Sequence, residues 1–257
     1  MAAVGEHAIS YDARGLSEPD AAIPKVSEID GATATFDAHD LSTRQINLEL
    51  RWLLNEQGVT DVTVRNPGAL GVGILTRCKL TFEGSLGYFG CGLIDGPEVH
   101  IKGRVGWSAC ENMMSGVVVI DGNAGSLTGA AFRGGDLVIR GRVGARTGID
   151  QKGGTIIVLG SAGSMNGFMM QRGRQIILGD VGHGLGDSMY DGTIYVGGKV
   201  RSLGIDCVPG EWTDADTEFV ERKFRIYDLG APPELQKFVC GKKLYNYDNL
   251  EPAERKL

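Results

Sequence analysis

Apolar residues recur in pairs through the middle of this chain. Between residues 78 and 208, aliphatic side chains stand four and two positions before each of a series of evenly spaced glycines. Alternate residues of a strand point to the same face, so each pair predicts a short strand with one buried face. The pairs are Val99 and Ile101, Val118 and Ile120, Leu137 and Ile139, Ile156 and Val158, and Ile194 and Val196; Gln175 takes the first position of one unit, ahead of Ile177.

The glycines that follow these pairs repeat with a constant period of 19, and we call them the phased glycines: Gly84, Gly103, Gly122, Gly141, Gly160, Gly179 and Gly198. A second apolar column stands two positions after them, at Leu86, Val105, Ala124, Val143, Ala162, Val181 and Val200. A short constant period is typical of a solenoid, in which each unit is one coil that buries its apolar side against its neighbours.

Four consecutive units extend the repeat to the pattern G-x-x-G-x-x-x-G. Glycine at a corner permits a positive φ and lets adjacent coils approach closely. We therefore assign a structural corner role to Gly122, Gly125, Gly129, Gly141, Gly144, Gly148, Gly160, Gly163, Gly167, Gly179, Gly182 and Gly186.

The predicted fold is all-β: a single-stranded parallel β-helix of 19-residue coils over residues 41–210, right-handed as parallel crossovers nearly always are. Seven coils at about 4.8 Å give a rod of about 30–35 Å. Residues 42–57 predict a capping helix, which begins with the S-x-x-Q capping box of Ser42 and Gln45. Residues 1–40 predict an extended arm. Residues 211–257 predict a helix, capped by Thr213 or Asp214, and an aromatic tail that packs along the rod or on another subunit.

Composition narrows the classes of function. The net charge of −6 offers no basic surface for nucleic acid. No stretch approaches the roughly 20 apolar residues of a membrane span, and no secretory signal pattern is present, so we expect a cytoplasmic protein without membrane contact. The five cysteines lack CxxC spacing, which predicts reduced, mostly buried thiols rather than a zinc or iron–sulfur site. Cys91 and Cys110, which are one period apart, should stack in adjacent coils.

Few residues suggest catalysis. A nucleotide-binding site is not indicated. A dinucleotide-binding loop is a single glycine-rich turn that leads into a helix, whereas these glycines recur in every unit and lead into strands, and no P-loop sequence occurs. His183 and Asp187, in "DVGHGLGDSMYDG", could form an imidazole–carboxylate pair for acid–base chemistry. The alternative for His183 is an ordinary surface histidine.

Three segments place large apolar side chains at the edge of the rod: "GYFGCGLIDGP" (87–97), "GWSACENMMSG" (106–116) and "GFMMQRG" (167–173). Aromatic residues and methionine are enriched in interface cores. The candidates for an interface or a tunnel wall are Tyr88, Phe89, Trp107, Met113, Met114, Phe168, Met169 and Met170. The alternative is that they fill the solenoid interior or pack under the terminal segments.

These segments, with "ENMMSGVVVIDGNAG", "RGGDLVIRGRVGARTGIDQKGG" and "GDSMYDGTIYVGGKVRSLGIDC", resemble the β-helical GXGXG domain that ends the large subunit of glutamate synthase. The resemblance covers roughly residues 45–210. It is strongest to the stand-alone GXGXG subunits of N-methylglutamate synthase and related glutamate-synthase-like complexes. The family also includes the corresponding subunits of formylmethanofuran dehydrogenase and of the formyltransferase/hydrolase complex.

The resemblance implies a non-catalytic scaffold subunit of methylamine and glutamate metabolism. Its implied partners are a class II amidotransferase-like subunit and an FMN-binding synthase subunit, which assemble into a higher oligomer of the heterotrimer. FMN and an iron–sulfur cluster would belong to the partner, and this chain alone would bind no cofactor or metal. The family gives no catalytic residue to carry over. The formyl-transferring complex is the alternative, and an independent enzyme that uses His183 and Asp187 is a third class.

Overall fold

The computed structural model describes residues 22–67 and 73–241, which contain twelve strands and two helices. The elements are β1 (Glu28–Asp30), β2 (Thr33–Asp37), α1 (Thr43–Asn55), β3 (Asp61–Arg65), β4 (Lys79–Glu83), β5 (Asp95–Ile101), β6 (Ser115–Ile120), β7 (Asp136–Ile139), β8 (Lys152–Val158), β9 (Arg172–Ile177), β10 (Thr193–Val196), β11 (Cys207–Pro209), α2 (Asp214–Ile226) and β12 (Gln236–Cys240). No helix in these two ranges is long and apolar enough to cross a membrane.

The strands from β2 to β10 pair in parallel, each with the next along the chain. From β4 to β10 the pairing follows the period of the glycines, as Val118 with Leu137 and Leu137 with Ile156. One coil of chain therefore separates each pair of neighbouring strands. The predicted all-β parallel β-helix is confirmed.

Both apolar columns line the interior of this solenoid. The aliphatic pairs before the phased glycines are buried, and Gln175 is buried with Ile177 at its place in the series. The column after the glycines forms parallel bridges from coil to coil, as Val143 does with Ala124 and Ala162. The side-chain NH₂ group of Gln175 donates to Oε1 of Gln151 (3.0 Å), so the two buried glutamines are hydrogen-bonded to each other inside an otherwise apolar core.

The glycines of the G-x-x-G-x-x-x-G motif differ in backbone conformation, although the sequence pattern had treated them as one class. The phased glycines from Gly103 onward have no positive φ. Instead, an added Cβ would collide with the preceding coil: at Gly160 it would lie 2.8 Å from the carbonyl oxygen of Gly141. Positive φ, between +63° and +69°, belongs to the last glycine of each motif: Gly129, Gly148, Gly167 and Gly186.

Each corner loop also contains left-handed residues that are not glycine. One column is Phe89, Ser108, Leu127, Arg146 and Met165, and another is Leu93, Asn112, Ala131, Asp150, Met169 and Ser188, all with φ between +51° and +62°. Both columns follow the period of the glycines, so the segments that carry the interface candidates share one repeated backbone conformation. L-residues visit this region at a cost, and the stacking of like corners stabilises it.

The solenoid begins earlier than residue 41. β1 and β2 lie within the span for which the sequence predicts an extended arm, yet β2 pairs in parallel with β3 and buries Ala34 and Phe36. The step from β2 to β3 is longer than one period because α1 is inserted there. The 19-residue repeat in the sequence therefore does not reveal β2. Residues 1–21 of the predicted arm lie outside the described residues.

Helix α1 packs into the main core between the first two parallel strands in chain order, β2 and β3. Its capping box forms as predicted, with Gln45 N donating to Oγ of Ser42 (3.3 Å) and Ser42 N donating to Oε1 of Gln45 (2.9 Å). The apolar face packs into the main core through Ile46, Leu50, Leu53 and Leu54. The buried carboxylate of Glu49 accepts hydrogen bonds from the backbone amides of Lys25 and Ser27, which hold the entering chain against the helix.

Helix α2 packs on the outer face of the sheet rather than at its end. Phe219, Val220 and Phe224 form a second core with the middle residues of four strands, Val138, Ile157, Ile176 and Tyr195. In β3, β4 and β5, which contribute no residue to this second core, the equivalent middle residues are polar: Thr63, Thr81 and His100. After α2, β12 returns antiparallel and pairs with both β10 and β11. The predicted tail beyond residue 241 lies outside the described residues.

One buried carboxylate joins α2 to two strands. Asp216 accepts hydrogen bonds from the hydroxyl of Tyr195 on β10 (2.7 Å) and from the ammonium of Lys237 on β12 (2.7 Å). It also closes the capping box with Thr213, the N-cap of α2. Burial opposes the charge of Asp216, but the hydrogen bonds from Lys237, Thr213 and Tyr195 outweigh it and hold its pKa well below the ordinary value.

Replacement of Gly154 by alanine tests the close approach of the coils, and Gly230→Ala is the matched control. Both glycines have positive φ (+65° and +76°), so alanine meets similar backbone strain at each. A Cβ at Gly154 would lie 2.6 Å from Cε1 of Phe132 and 2.7 Å from the carbonyl oxygen of Gly135, whereas at Gly230 nothing lies within 4 Å. We expect Gly154→Ala to lower the free energy of unfolding by about 2 kcal/mol more than the control, measured in urea. Equal losses would contradict the close approach of the coils as the reason for glycine at this position.

Asp216→Asn tests the buried carboxylate, with the exposed Asp214→Asn in the same helical turn as control. Because the pKa of Asp216 is lower in the folded than in the unfolded chain, its charge stabilises the fold fully above about pH 4, and this contribution falls as the pH drops further. We expect Asp216→Asn to cost about 1–3 kcal/mol at pH 7 and less at pH 3. Thermal unfolding at both pH values measures the difference. A loss that does not depend on pH, or one equalled by Asp214→Asn, would contradict this role.

Candidate interaction surfaces

Two successive coils expose a cluster of large apolar side chains, which we call the apolar edge: Tyr88, Phe89, Leu93, Trp107 and Met114. Tyr88, Phe89 and Trp107 expose 61%, 52% and 59% of their surface. The rings of Tyr88 and Trp107 lie 5.9 Å apart between centroids, at an angle of 47°. A hollow of about 230 Å³ lies between Phe89 and Leu93.

The local backbone explains why these side chains face outward. Phe89 and Leu93 occupy left-handed positions of the corner loop, while Cys91 and Ile94, beside them in the chain, are buried. Tyr88 and Trp107 share one column, which continues as Ser126, Ala145 and Ser164. The aromatic column is therefore confined to two coils, and the same position becomes small or polar farther along the rod.

The remaining sequence candidates do not belong to this cluster. Met113 and Met170 are completely buried in the main core, so these two fill the interior, as the alternative interpretation of these segments held. Phe168 is half-buried and Met169 is exposed. Met169 stands four coils beyond Leu93 in the same column, which is about 19 Å along the rod. Two adjacent coils thus expose five large apolar side chains, and only four of them were among the sequence candidates.

A second surface is a cationic cleft of about 620 Å³ between α2 and the edge where strands β6 to β10 begin. Its floor is a column of glycines at or just before the start of the strands: Gly116, Gly135, Gly154, Gly173 and Gly192. Its walls carry four cationic side chains, Arg172, Arg174, Arg222 and Lys223, and two acidic ones, Asp136 and Asp191. On a chain with a net charge of −6, this cleft has a local excess of two positive charges.

The charges of the cleft are only partly neutralised. Lys223 donates to both carboxylate oxygens of Asp136 (2.6 Å each). The guanidinium of Arg174 lies 4.2 Å from the centroid of the Phe219 ring, a cation–π contact. The guanidinium of Arg172 has no hydrogen-bond or ion-pair partner within residues 22–67 and 73–241, and Arg222 has only a longer contact with Phe219. Unpaired guanidinium groups are suited to bidentate recognition of carboxylates or phosphates.

Sequence reasoning missed this cleft because its parts are far apart in the chain. Arg172 and Arg174 stand at the entrance of β9, whereas Arg222 and Lys223 lie in α2, which follows β10 and β11. The sequence did contain one signal of a covering element. The middle residues of strands β7 to β10 are apolar, although they lie on the outer face of the sheet, where polar residues are usual. That anomaly indicates a covering element, and the amphipathic α2 is the segment that follows the repeat.

The structure does not join His183 to Asp187. Nδ1 of His183 lies 3.3 Å from Oγ of Ser202, and the carboxylate of Asp187 accepts a hydrogen bond from Ser188. No hydrogen bond or ion pair connects His183 and Asp187, both of which are described. An imidazole–carboxylate pair that does form is His100 with Asp121 (2.9 Å), on the exposed outer face beside Arg140.

The five cysteines form no disulfide in the described part of the chain, and four of them are buried. Cys91 and Cys110 stack in adjacent coils as predicted, at left-handed corner positions that later coils give to glycine. Burial raises the pKa of Cys91 to about 12, and burial with the nearby Cys91 raises the pKa of Cys110 well above its usual value. Within the described ranges, no three His, Cys, Asp or Glu side chains are grouped as they would be around a metal ion.

A local similarity links this chain to Protein GlxC of Rhizobium meliloti (strain 1021). The two are 39% identical over 72 residues. The match covers 27% of this chain and 31% of the relative, so the chain spans about a third of the length of the curated protein it matches. No family model matches the chain.

Proposed function

We propose that this chain is a non-catalytic scaffold subunit of a glutamate-synthase-like complex, and specifically of an N-methylglutamate synthase. In this role it holds a class II amidotransferase-like subunit against an FMN-binding synthase subunit. The local similarity to Protein GlxC and the parallel β-helix fold support a subunit of this general kind. The identity of the complex rests on the motif resemblance in sequence.

The apolar edge is the observation that carries this proposal. Five large apolar side chains are exposed on two adjacent coils, and Tyr88 and Trp107 among them form an aromatic patch. Such patches on a protein surface mark contacts with other molecules. Tyrosine and tryptophan are also the residues that most often contribute large binding energies at interfaces.

The cationic cleft supplies a second contact surface of different chemistry. Arg222 and Arg172, which has no ion-pair partner among the described residues, suit an acidic partner surface, whereas the apolar edge suits a hydrophobic one. Both surfaces stand on one stacked rod of nine parallel strands, which spans about 38 Å from β2 to β10. A rigid rod with two unlike contact surfaces can fix the relative position of two different subunits.

This geometry indicates how a scaffold would contribute to the reaction. Side chains fill the interior of the solenoid, so an ammonia or methylamine route would run between the surface of this chain and its partners. A fixed distance between the subunits raises the effective concentration of the transferred amine at the synthase site. FMN and the iron–sulfur cluster would be held by the synthase subunit.

Mild affinity purification of the tagged chain from its native host, with mass spectrometry and a flavin absorbance spectrum, tests the proposal. We expect an amidotransferase-like subunit and a flavin-bearing subunit to co-purify, with methylamine-dependent formation of N-methylglutamate. Recovery of formyltransferase subunits would assign the chain to the other branch of the motif family. A chain that purifies alone and colourless would refute the scaffold role.

The double variant Tyr88→Ser, Trp107→Ser tests the apolar edge, and Ile205→Ser is the control. Ile205 is the most exposed large apolar residue of the described chain, at 72%, and lies outside the edge. We expect the double variant to weaken the affinity for one partner by about tenfold or more, because a desolvated aromatic contact is lost, while its thermal stability stays near that of the parent. Equal effects of the two variants on binding would contradict the assignment of the edge.

The double variant Arg172→Gln, Arg222→Gln tests the cleft, with Arg225→Gln as a control on the same helix but outside the cleft. We expect a several-fold loss of affinity for one partner at low salt, and a smaller difference from the parent at high salt, because ionic strength screens the charges. Binding of the parent that is insensitive to salt, together with unchanged binding of the double variant, would exclude the cleft as a contact surface.

A further inference from the structure

Cys207 on β11 and Cys240 on β12 are directly opposite each other in an antiparallel strand pair. Gly241 N donates to the carbonyl oxygen of Asp206 (2.7 Å), and Gly210 N donates to that of Lys237 (2.8 Å). These two bonds flank the Cys207–Cys240 and Pro209–Phe238 positions, so the cysteines form a non-hydrogen-bonded pair. In such pairs the Cα atoms are about 4.5 Å apart and the side chains are close.

Both thiols also point to the same side of the strand pair. Cys207 is buried in the main core, and Cys240 packs against that core while remaining partly exposed. The Cys240 thiol donates to the carbonyl oxygen of Met189 (3.2 Å). Gly186 leaves the space for Cys207, since a Cβ at that glycine would lie 2.8 Å from its Sγ.

We propose that Cys207 and Cys240 form a disulfide that fastens the C-terminal end of the solenoid. The Cα separation of a non-hydrogen-bonded pair lies within the range of about 4.4–6.8 Å that disulfides adopt. The bond would close a loop over residues 207–240, which carries all of α2. It would thereby tether the helix that packs on β7 to β10 and forms one wall of the cationic cleft.

The oxidant is a small-molecule disulfide, and the exchange proceeds in two steps. The Cys240 thiolate, on the more exposed side chain, attacks one sulfur of the oxidant and releases one small thiolate. The Cys207 sulfur, after losing its proton to solvent, attacks Sγ of Cys240 and displaces the second small thiolate. Two protein thiols are oxidised, and one disulfide is reduced to two thiols. Burial, followed by the influence of Cys240, raises the pKa of Cys207 to about 11, so Cys207 is protonated at neutral pH and is the second to react.

The chain also contains a matched dithiol that should stay reduced. Cys91 and Cys110 stack in adjacent coils, but both are completely buried in the middle of the solenoid. A small-molecule disulfide cannot reach either of them without unfolding the coils. Oxidation of the native chain is therefore expected at the C-terminal pair alone.

Equilibration of the purified, folded chain with oxidised glutathione at neutral pH tests the proposal. We expect the mass to fall by the two hydrogens that the new bond removes, and peptide mapping to find Cys207 joined to Cys240, with Cys91 and Cys110 free. Because a native cross-link constrains the unfolded chain, we expect the unfolding midpoint to rise by about 5 °C, reversibly with dithiothreitol. Cys207→Ser should abolish both the mass change and the rise in the midpoint. The control variant Cys78→Ser should still show both.

A stable glutathione adduct on Cys240 without the intramolecular bond would overturn the proposal, as would two free thiols after equilibration. A mapped disulfide between any other pair would do the same. The measurement uses the isolated chain, so it is independent of which partners the chain binds.

Discussion

The structure depends on the approach of one coil's backbone to the next at the phased glycines. An added Cβ at Gly160 or Gly122 would lie 2.8 Å or 2.7 Å from the carbonyl oxygen of the glycine one coil earlier. Side chains at these points would force neighbouring coils apart and weaken the parallel ladder along the whole rod. The repeat is therefore a packing constraint, and it places every other column of the sequence in register.

This register in turn determines which residues lie on the inner and outer faces of the rod. The inward columns are almost entirely apolar, but the outward columns change character from coil to coil, since only local neighbours restrict them. The column of Tyr88 and Trp107 turns small or polar after two coils, and the middle strand position turns apolar where α2 covers it. Asp216 then fixes α2 to β10 and β12, which defines one wall of the cationic cleft. Two unlike surfaces thus arise on one regular scaffold.

Sequence periodicity predicted the parts of this structure that repeat. The fold, the buried columns and the capping box of Ser42 and Gln45 follow from patterns that recur or lie close together in the chain. The strand β2 was missed because the insertion of α1 hides its spacing from β3. The cleft was missed because Arg172 and Arg222 meet only after α2 folds back over the sheet. Met113 and Met170 look like exposed edge residues in sequence, but each follows a left-handed residue at which the backbone turns it inward. A pattern of residue types does not indicate which side of such a corner a side chain takes.

The central claim is that this rod holds two different subunits by two different surfaces. Electron cryo-microscopy of the complex captured from the native host would test it most directly. We expect density for one subunit over Tyr88 and Trp107, and density for a second subunit in the cleft beside Arg172 and Arg222. A complex in which both surfaces face solvent, or in which a single subunit covers both, would contradict it.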